Sequence, residues 1–153
     1  MKNSIIEKLS AKNFGNFTYL IERLAEYEKL APPNDKAKKR LRKDGLSKNP
    51  KFEAFLAKLN NEYAGYLIYY MTYSSFLALP TLFLEDIFIL KEYRKSGIGQ
   101  NLLNLCLRKA KEKGCGRIDL CILDWNNPSI NFFEKNNAKR LNWLFYRIDV
   151  GSG

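Results

Sequence analysis

The sequence predicts an α/β fold, with strands and helices alternating along one chain. Three observations carry that expectation. Leu82 to Leu107 reads as an apolar strand, a short turn with two glycines, and an amphipathic helix. Phe52 to Leu59 and Tyr63 to Met71 are two strand-like runs joined by Asn60-Asn61-Glu62, a short hairpin turn. Arg117 to Leu123 is a further alternating strand, and an Asn-Pro pair after it opens another helix.

In chain order, Ser4 to Leu9 is a short first strand. Phe14, Phe17, Leu20, Ile21, Leu24 and Tyr27 then fall on one face of a helix, with Glu22, Glu26 and Glu28 on the other. Pro32-Pro33 stops that helix. Asp35 is placed to cap a second, basic helix that runs through Lys43 and ends at Gly45. The plain reading of this helix is a solvated face, and the alternative is attraction of something anionic. The hairpin follows, then Leu82 to Leu90, apolar enough to be buried on both faces.

After the turn, Ile98, Leu102, Cys106 and Ala110 recur at helical spacing, with Leu103 and Leu107 widening the stripe. Gly114 closes this helix. In the strand Arg117 to Leu123, Ile118, Leu120 and Ile122 alternate with Asp119 and Cys121. Asn127 caps the next helix with Pro128 at its first position, and Asn136 or Asn137 ends it in the left-handed conformation. Leu141 to Asp149 is a last strand, so that residues 1–150 form one domain and Gly151-Ser152-Gly153 a tail.

Composition narrows the function. The chain has 153 residues and a net charge of +10, but six of the positive charges lie between Lys36 and Lys43, which leaves +4 for the rest. No apolar run is long enough to span a membrane, and the first residues lack the order of a signal peptide. Three cysteines, Cys106, Cys115 and Cys121, cannot all pair and suit no zinc site; a reducing cytoplasm is the expected home. With no histidine in the chain, imidazole is neither base nor metal ligand, and no metal is expected. Nothing in the basic run reads bases, so nucleic acid is an unlikely partner.

The turn Arg94-Lys95-Ser96-Gly97-Ile98-Gly99 lies where a helix begins, and unpaired N–H groups with the positive end of the helix dipole suit a pyrophosphate there. Neither the nucleotide P-loop pattern nor the dinucleotide Gly-x-Gly-x-x-Gly pattern is present. The pattern Arg94-x-x-Gly97-x-Gly99 after a strand carrying Glu85-Asp86 resembles the acetyl-CoA turn of the GCN5-related N-acetyltransferases (GNAT). Cys121 to Ala138, with Asn126-Asn127-Pro128-Ser129, resembles that family's second cofactor-contacting segment. Together with Tyr27-Glu28, Tyr69 to Tyr73 and Leu84-Glu85-Asp86, the chain looks most like the diamine (spermidine/spermine) branch, over nearly its whole length.

The resemblance implies a GNAT fold: a central mixed, strongly twisted sheet flanked by helices, with acetyl-CoA in a splay between two central parallel strands. It implies N-acetyl transfer from acetyl-CoA to a primary amine in a ternary complex, with a diamine, polyamine or lysine-like amino acid as acceptor. Such an amine, of pKa about 10.4, is roughly 99.9% protonated at pH 7, so freeing its lone pair costs about 4 to 5 kcal/mol without a base. Glu85 matches the family's glutamate and is the expected base, directly or through a water; the alternative is a carboxylate that only satisfies backbone N–H groups at a bulge. Asp86 is expected to face away from it if the strand alternates regularly.

By the same match, the backbone of Ile87, Phe88 and Ile89 meets the pantetheine arm and supplies an oxyanion donor. Lys95, Ser96, Gly97, Ile98, Gly99 and Gln100 surround the pyrophosphate, Arg94 adds charge, and Asn126 and Ser129 contact the pantetheine. Tyr27 and Glu28 line the amine pocket. If the basic helix is more than a solvated face, the anion it would attract is the 3′-phosphate of CoA or a nucleic acid. Where the family has a thiolate-protonating tyrosine, this chain has Phe133, which cannot donate a proton; Tyr69, Tyr70, Tyr73 and Tyr146 are the candidate substitutes. The segment after Ala138 is shorter than in the diamine branch and lacks its acidic residues. Relatives of this branch suggest a homodimer. The alternatives are acetylation of a protein lysine or N-terminus, and a non-catalytic acyl-CoA-binding regulator.

Overall fold

A computed structural model describes residues 4–151, and among these the contacts group into two compact units that divide after Cys121. The first unit holds β1 (Ser4–Lys8), α1 (Phe14–Glu28), α2 (Asp35–Gly45), β2 (Glu53–Leu59), β3 (Glu62–Ser74), β4 (Leu79–Ile89), a 3₁₀ turn (Lys91–Tyr93), α3 (Ile98–Glu112) and β5 (Arg117–Leu120). Its sheet runs in the order β1-β2-β3-β4-β5, antiparallel through β4 and parallel between β4 and β5. The parallel step needs a crossover, and α3 is that crossover.

Local chemistry explains the main joints. The β2–β3 hairpin turns at Asn60 and Asn61, with φ of 52° and 70°, the left-handed pair that matches strand twist. Asn34, rather than the expected Asp35, caps α2, its side chain accepting from the Ala37 amide at 2.9 Å; Asp35 takes the first helical position, where its charge favours the dipole. Gly114, at φ 71°, ends α3 as expected, with Cys115 N–H donating to the Ala110 carbonyl at 2.9 Å.

The sheet has two covered faces. On one, Phe14, Phe17 and Leu20 of α1 pack on Ala54, Leu56, Tyr66, Ile68 and Phe88. Leu41 of α2 joins the edge of this cluster, and Lys38 ties α2 to Glu22 of α1 at 3.1 Å. On the other, α3 buries Ile98, Leu102, Leu103, Leu105, Cys106 and Ala110. Leu105 rather than Leu107 widens the stripe; Leu105 lies three residues from Leu102 on the same face, whereas Leu107 is 44% exposed.

The second unit contains α4 (Asn127–Lys135). Asn126, not Asn127, is its N-cap residue, and Asn137 at φ 68° closes it, with Ala138 N–H donating to the Phe133 carbonyl at 3.0 Å. Two strand expectations need correction. β5 stops at Leu120 instead of Leu123, and Leu141 to Asp149 forms no strand, although its apolar pattern is strand-like. A strand needs a neighbouring edge for its N–H and C=O groups, and the sequence pattern alone does not supply one. Of the expected tail, Ser152 and Gly153 lie outside the described residues.

Gly65 sits opposite Ile89 across β3–β4, and a Cβ there would come within 2.5 Å of both the Phe88 carbonyl oxygen and Ile89 Cδ1. Gly65→Ala must therefore push β4 outward. It should destabilise the protein by about 1 to 3 kcal/mol and lower Tm by about 3 to 9 °C in a thermal melt.

Candidate active site

β4 is shared unequally between its neighbours. It pairs with β3 as far as Ile89, but with β5 only from Thr81 to Leu84. From Glu85 to Ile89 the side of β4 turned away from β3 thus has no strand partner among the described residues. Its backbone donors and acceptors there are open to an extended ligand, which would lie along them as an added strand does.

A bulge opens at the same place. The β3–β4 register pairs Ile68 with Asp86 and Tyr69 with Leu84, so Glu85 has no partner across the ladder. Asp86 was expected to face away from Glu85; the extra residue cancels the alternation, and both carboxylates line one cavity. Each is held by a tyrosine of β3. Tyr66 donates to Asp86 Oδ2 at 2.9 Å, and Tyr70 donates to Glu85 Oε2 at 3.2 Å. Burial, reinforced by the charges of Glu85 and Glu28, pushes the Asp86 carboxyl up to about 6, against the lowering effect of the Tyr66 bond. Glu28, at the end of α1, is likewise raised by burial and by Glu85. Three carboxylates thus feel one another across the site.

Of the candidate tyrosines on β3, only Tyr70 bonds to Glu85. Burial and then Glu85 push its hydroxyl up to about 12, so it keeps its proton at neutral pH. Tyr69 points to the opposite face, stacks on Phe55 and donates to Glu53, while Tyr73 is exposed. Tyr146 lies in the second unit and is exposed.

Tyr27 and Arg94 frame the other side. Tyr27 packs against Phe88, and the Arg94 guanidinium lies 5.1 Å from the Tyr27 ring centroid and 5.9 Å from that of Phe88. Arg94 Nε also donates to the Ile89 carbonyl at 3.0 Å, locking the end of β4 to the turn that follows. In that turn Lys95 has φ 61° and Gly97 φ 88°, and Ser96 donates to the Tyr93 carbonyl. Gly97 has no atom within 4 Å of a would-be Cβ; its backbone angle, not crowding, is what calls for glycine. Ile98, Gly99 and Gln100 open α3, whose first helical bond is Asn101 N–H to the Gly97 carbonyl at 3.0 Å, so the amides before it have no helical acceptor. With Lys95 and Arg94 beside them, these residues fit a pyrophosphate.

α2 contributes more than a solvated face. Ala37, Arg40, Leu41 and Asp44, at helical spacing, form the wall of the Glu85–Asp86 cavity, a space of ≈ 480 Å³ completed by α1, Phe52 and Ile68. Asn126, Ser129 and Phe133 belong to the second unit: Asn126 caps α4, Ser129 is in its first turn, and the Phe133 ring stands edge-on to Phe132 at 5.2 Å. Among the described residues no group of three or more His, Cys, Asp or Glu is placed to hold a metal.

The α/β sheet thus leaves one strand edge open beside a turn whose amides suit an anion. Residues 17–138 match the acetyltransferase (GNAT) family, and the chain belongs to that family of acyl-transferring enzymes. It is 30% identical over 161 residues to thialysine N-epsilon-acetyltransferase of Sus scrofa, covering 97% of this chain and 94% of that protein. It is 39% identical over 93 residues to an L-ornithine N5-acetyltransferase of Arabidopsis thaliana, covering 60% of this chain and 41% of that protein. The fold is also that of a possible acetyltransferase from Clostridium difficile 630, with a TM-score of 0.82 at 16% identity, covering 97% and 99% of the two chains.

The Asp86 carboxyl titrates near 6 in the folded chain against 3.8 for an ordinary aspartate. Between those values the folded protein holds a proton that the unfolded chain has lost. The stability of the neutral acid is therefore complete below about pH 4 and is lost as pH rises through 6. Asp86→Asn should gain on the unsubstituted protein between pH 4 and pH 7.5, by on the order of 1 to 3 kcal/mol in denaturant melts.

Proposed function

We propose that this acetyltransferase moves an acetyl group from acetyl-CoA to a primary amine of a small molecule, a diamine, polyamine or lysine-like amino acid, by direct transfer in a ternary complex. The observation that carries the reading is Glu85 at the bulge, beside an open strand edge and coupled to Glu28 and Asp86. The relatives named for thialysine and L-ornithine support a small amine as acceptor.

In this reading acetyl-CoA supplies the acyl group already activated as a thioester. The amides from Lys95 to Gln100 hold its pyrophosphate, with Arg94 adding charge, and the backbone of Ile87, Phe88 and Ile89 aligns its arm and donates to the developing oxyanion. Asn126 and Ser129 contact the arm further along. Glu28 and Asp86 draw in the acceptor's ammonium beside Tyr27. Glu85 takes the ammonium proton, and the freed amine forms the C–N bond as the C–S bond breaks. Tyr70, still protonated, gives its proton to the leaving thiolate in place of the tyrosine that Phe133 replaces, and recovers one from the nitrogen, whose second proton leaves as the amide forms. The bland reading of Glu85, a carboxylate idle at a bulge, predicts no such dependence.

Phe133 favours one second reading, an acyl-CoA-binding regulator without turnover. A free-thiol assay over diamines, polyamines, amino acids and peptides separates the three possibilities. Turnover of small amines is the expected result; turnover of peptides alone would replace the acceptor, and tight CoA binding with no turnover would favour the regulator. Glu85→Gln should lower kcat/KM about 10² to 10⁴-fold, most at low pH, where the free amine is scarcest. Tyr70→Phe should lower kcat with little change in KM, and Phe133→Tyr should restore part of that loss.

The protein is further read as a cytoplasmic homodimer. Cys106, Cys115 and Cys121 are free thiols, as a reducing compartment favours. Leu141, Trp143, Leu144, Phe145, Tyr146, Ile148 and Val150 are all exposed in a single chain, an apolar run that a second copy would cover. Light scattering should give twice the chain mass, and Trp143→Asp with Phe145→Asp should shift it to the monomer; a monomeric parent protein would remove the dimer.

A further inference from the structure

The acid cavity is not uniformly acidic. Its floor carries Glu85 and Asp86, but its α2 wall carries Arg40, the sole cation among its lining residues, with Asp44 one helical turn further on. Two other cations of α2 are engaged elsewhere: Lys38 pairs with Glu22, and Arg42 lies over the Phe14 ring at 5.3 Å. Asp44 has Lys51 as its ion partner at 3.5 Å, and among the described residues no carboxylate pairs with Arg40. A guanidinium that lines the same pocket as Glu85 and Asp86 suits a ligand with charges of both signs.

We propose that Arg40 binds the carboxylate of an α,ω-diamino acid whose distal amine reaches Glu85, so that the wall formed by α2 selects amino acids over diamines and polyamines. This rests on the function proposed above and assigns its acceptor. The planar guanidinium matches a carboxylate with two parallel hydrogen bonds, which an ammonium does not. Asp44, facing the same cavity, accepts from the α-ammonium. A pure polycation gains at Glu85 and Asp86 but meets repulsion at Arg40, so the same residue rewards one acceptor and penalises the other. The basic character of the helix thereby acquires a role at one position, where the exposed Arg40 lines the cavity.

The test compares lysine with 1,5-diaminopentane, the same chain without the carboxylate. Parent protein should prefer lysine. Arg40→Gln should reduce the ratio of kcat/KM for lysine to that for 1,5-diaminopentane by about 10 to 100-fold, the loss appearing in KM rather than kcat, as removal of a charge-assisted pair implies. Lysine methyl ester on the parent protein should show a similar loss, and Arg40→Lys a partial one. An unchanged ratio in Arg40→Gln, or a parent preference for the diamine, would overturn the assignment. If neither amine is turned over, the transferase reading falls separately. Calorimetry then decides on Arg40 alone: lysine must bind the parent protein and bind Arg40→Gln more weakly, and absence of lysine binding refutes the anchor.

Discussion

The unequal sharing of β4 is the constraint on which the site depends. A central strand normally satisfies both edges, yet here the ladder to β5 stops at Leu84 while that to β3 continues to Ile89. Backbone groups left unpaired in a protein interior are costly, so such an edge persists where water or a ligand can satisfy it. Arg94, bonded to the Ile89 carbonyl and lying over Tyr27 and Phe88, fixes the end of this strand against the end of α1. One side chain thus joins the open edge, the acidic end of α1 and the turn before α3.

The bulge at Glu85 works with that edge. A regular strand would send Glu85 and Asp86 to opposite faces, and only one would reach the cavity. The inserted residue brings both to the same side, where Tyr66 and Tyr70 hold them from β3. Packing acids together costs free energy, which the raised Asp86 and the raised Glu28 register, and a cation placed among them would offset that cost. Tyr66 stays with its proton because burial opposes its ionisation, so it serves as a fixed donor to Asp86.

Much of this was legible in the chain. Asn60-Asn61 turned the hairpin, Gly97 and Gly114 bounded α3, and the helical face of α1 was read correctly from its spacing, because each depends on a few neighbouring residues. The helix-start readings that missed did so by a single position, as with Asn34 for Asp35 and Asn126 for Asn127. The long-range ones failed differently. The strand expected over Leu141 to Asp149 had the right residues but, in a single chain, takes no strand conformation.

By itself the sequence determined the order of elements through α4, the glycine turn from Arg94 to Gly99 ahead of a helix and the carboxylates on the strand before it, since turns, caps and periodicity are local. Only the tertiary structure decided that Asp86 joins Glu85, that Tyr70 rather than Tyr69 bonds to Glu85, and that Arg40 of α2 lines the same cavity. Those facts follow from a one-residue register shift between two strands and from the packing of a helix across a sheet, and neither has a signature in the spacing of residues along one chain.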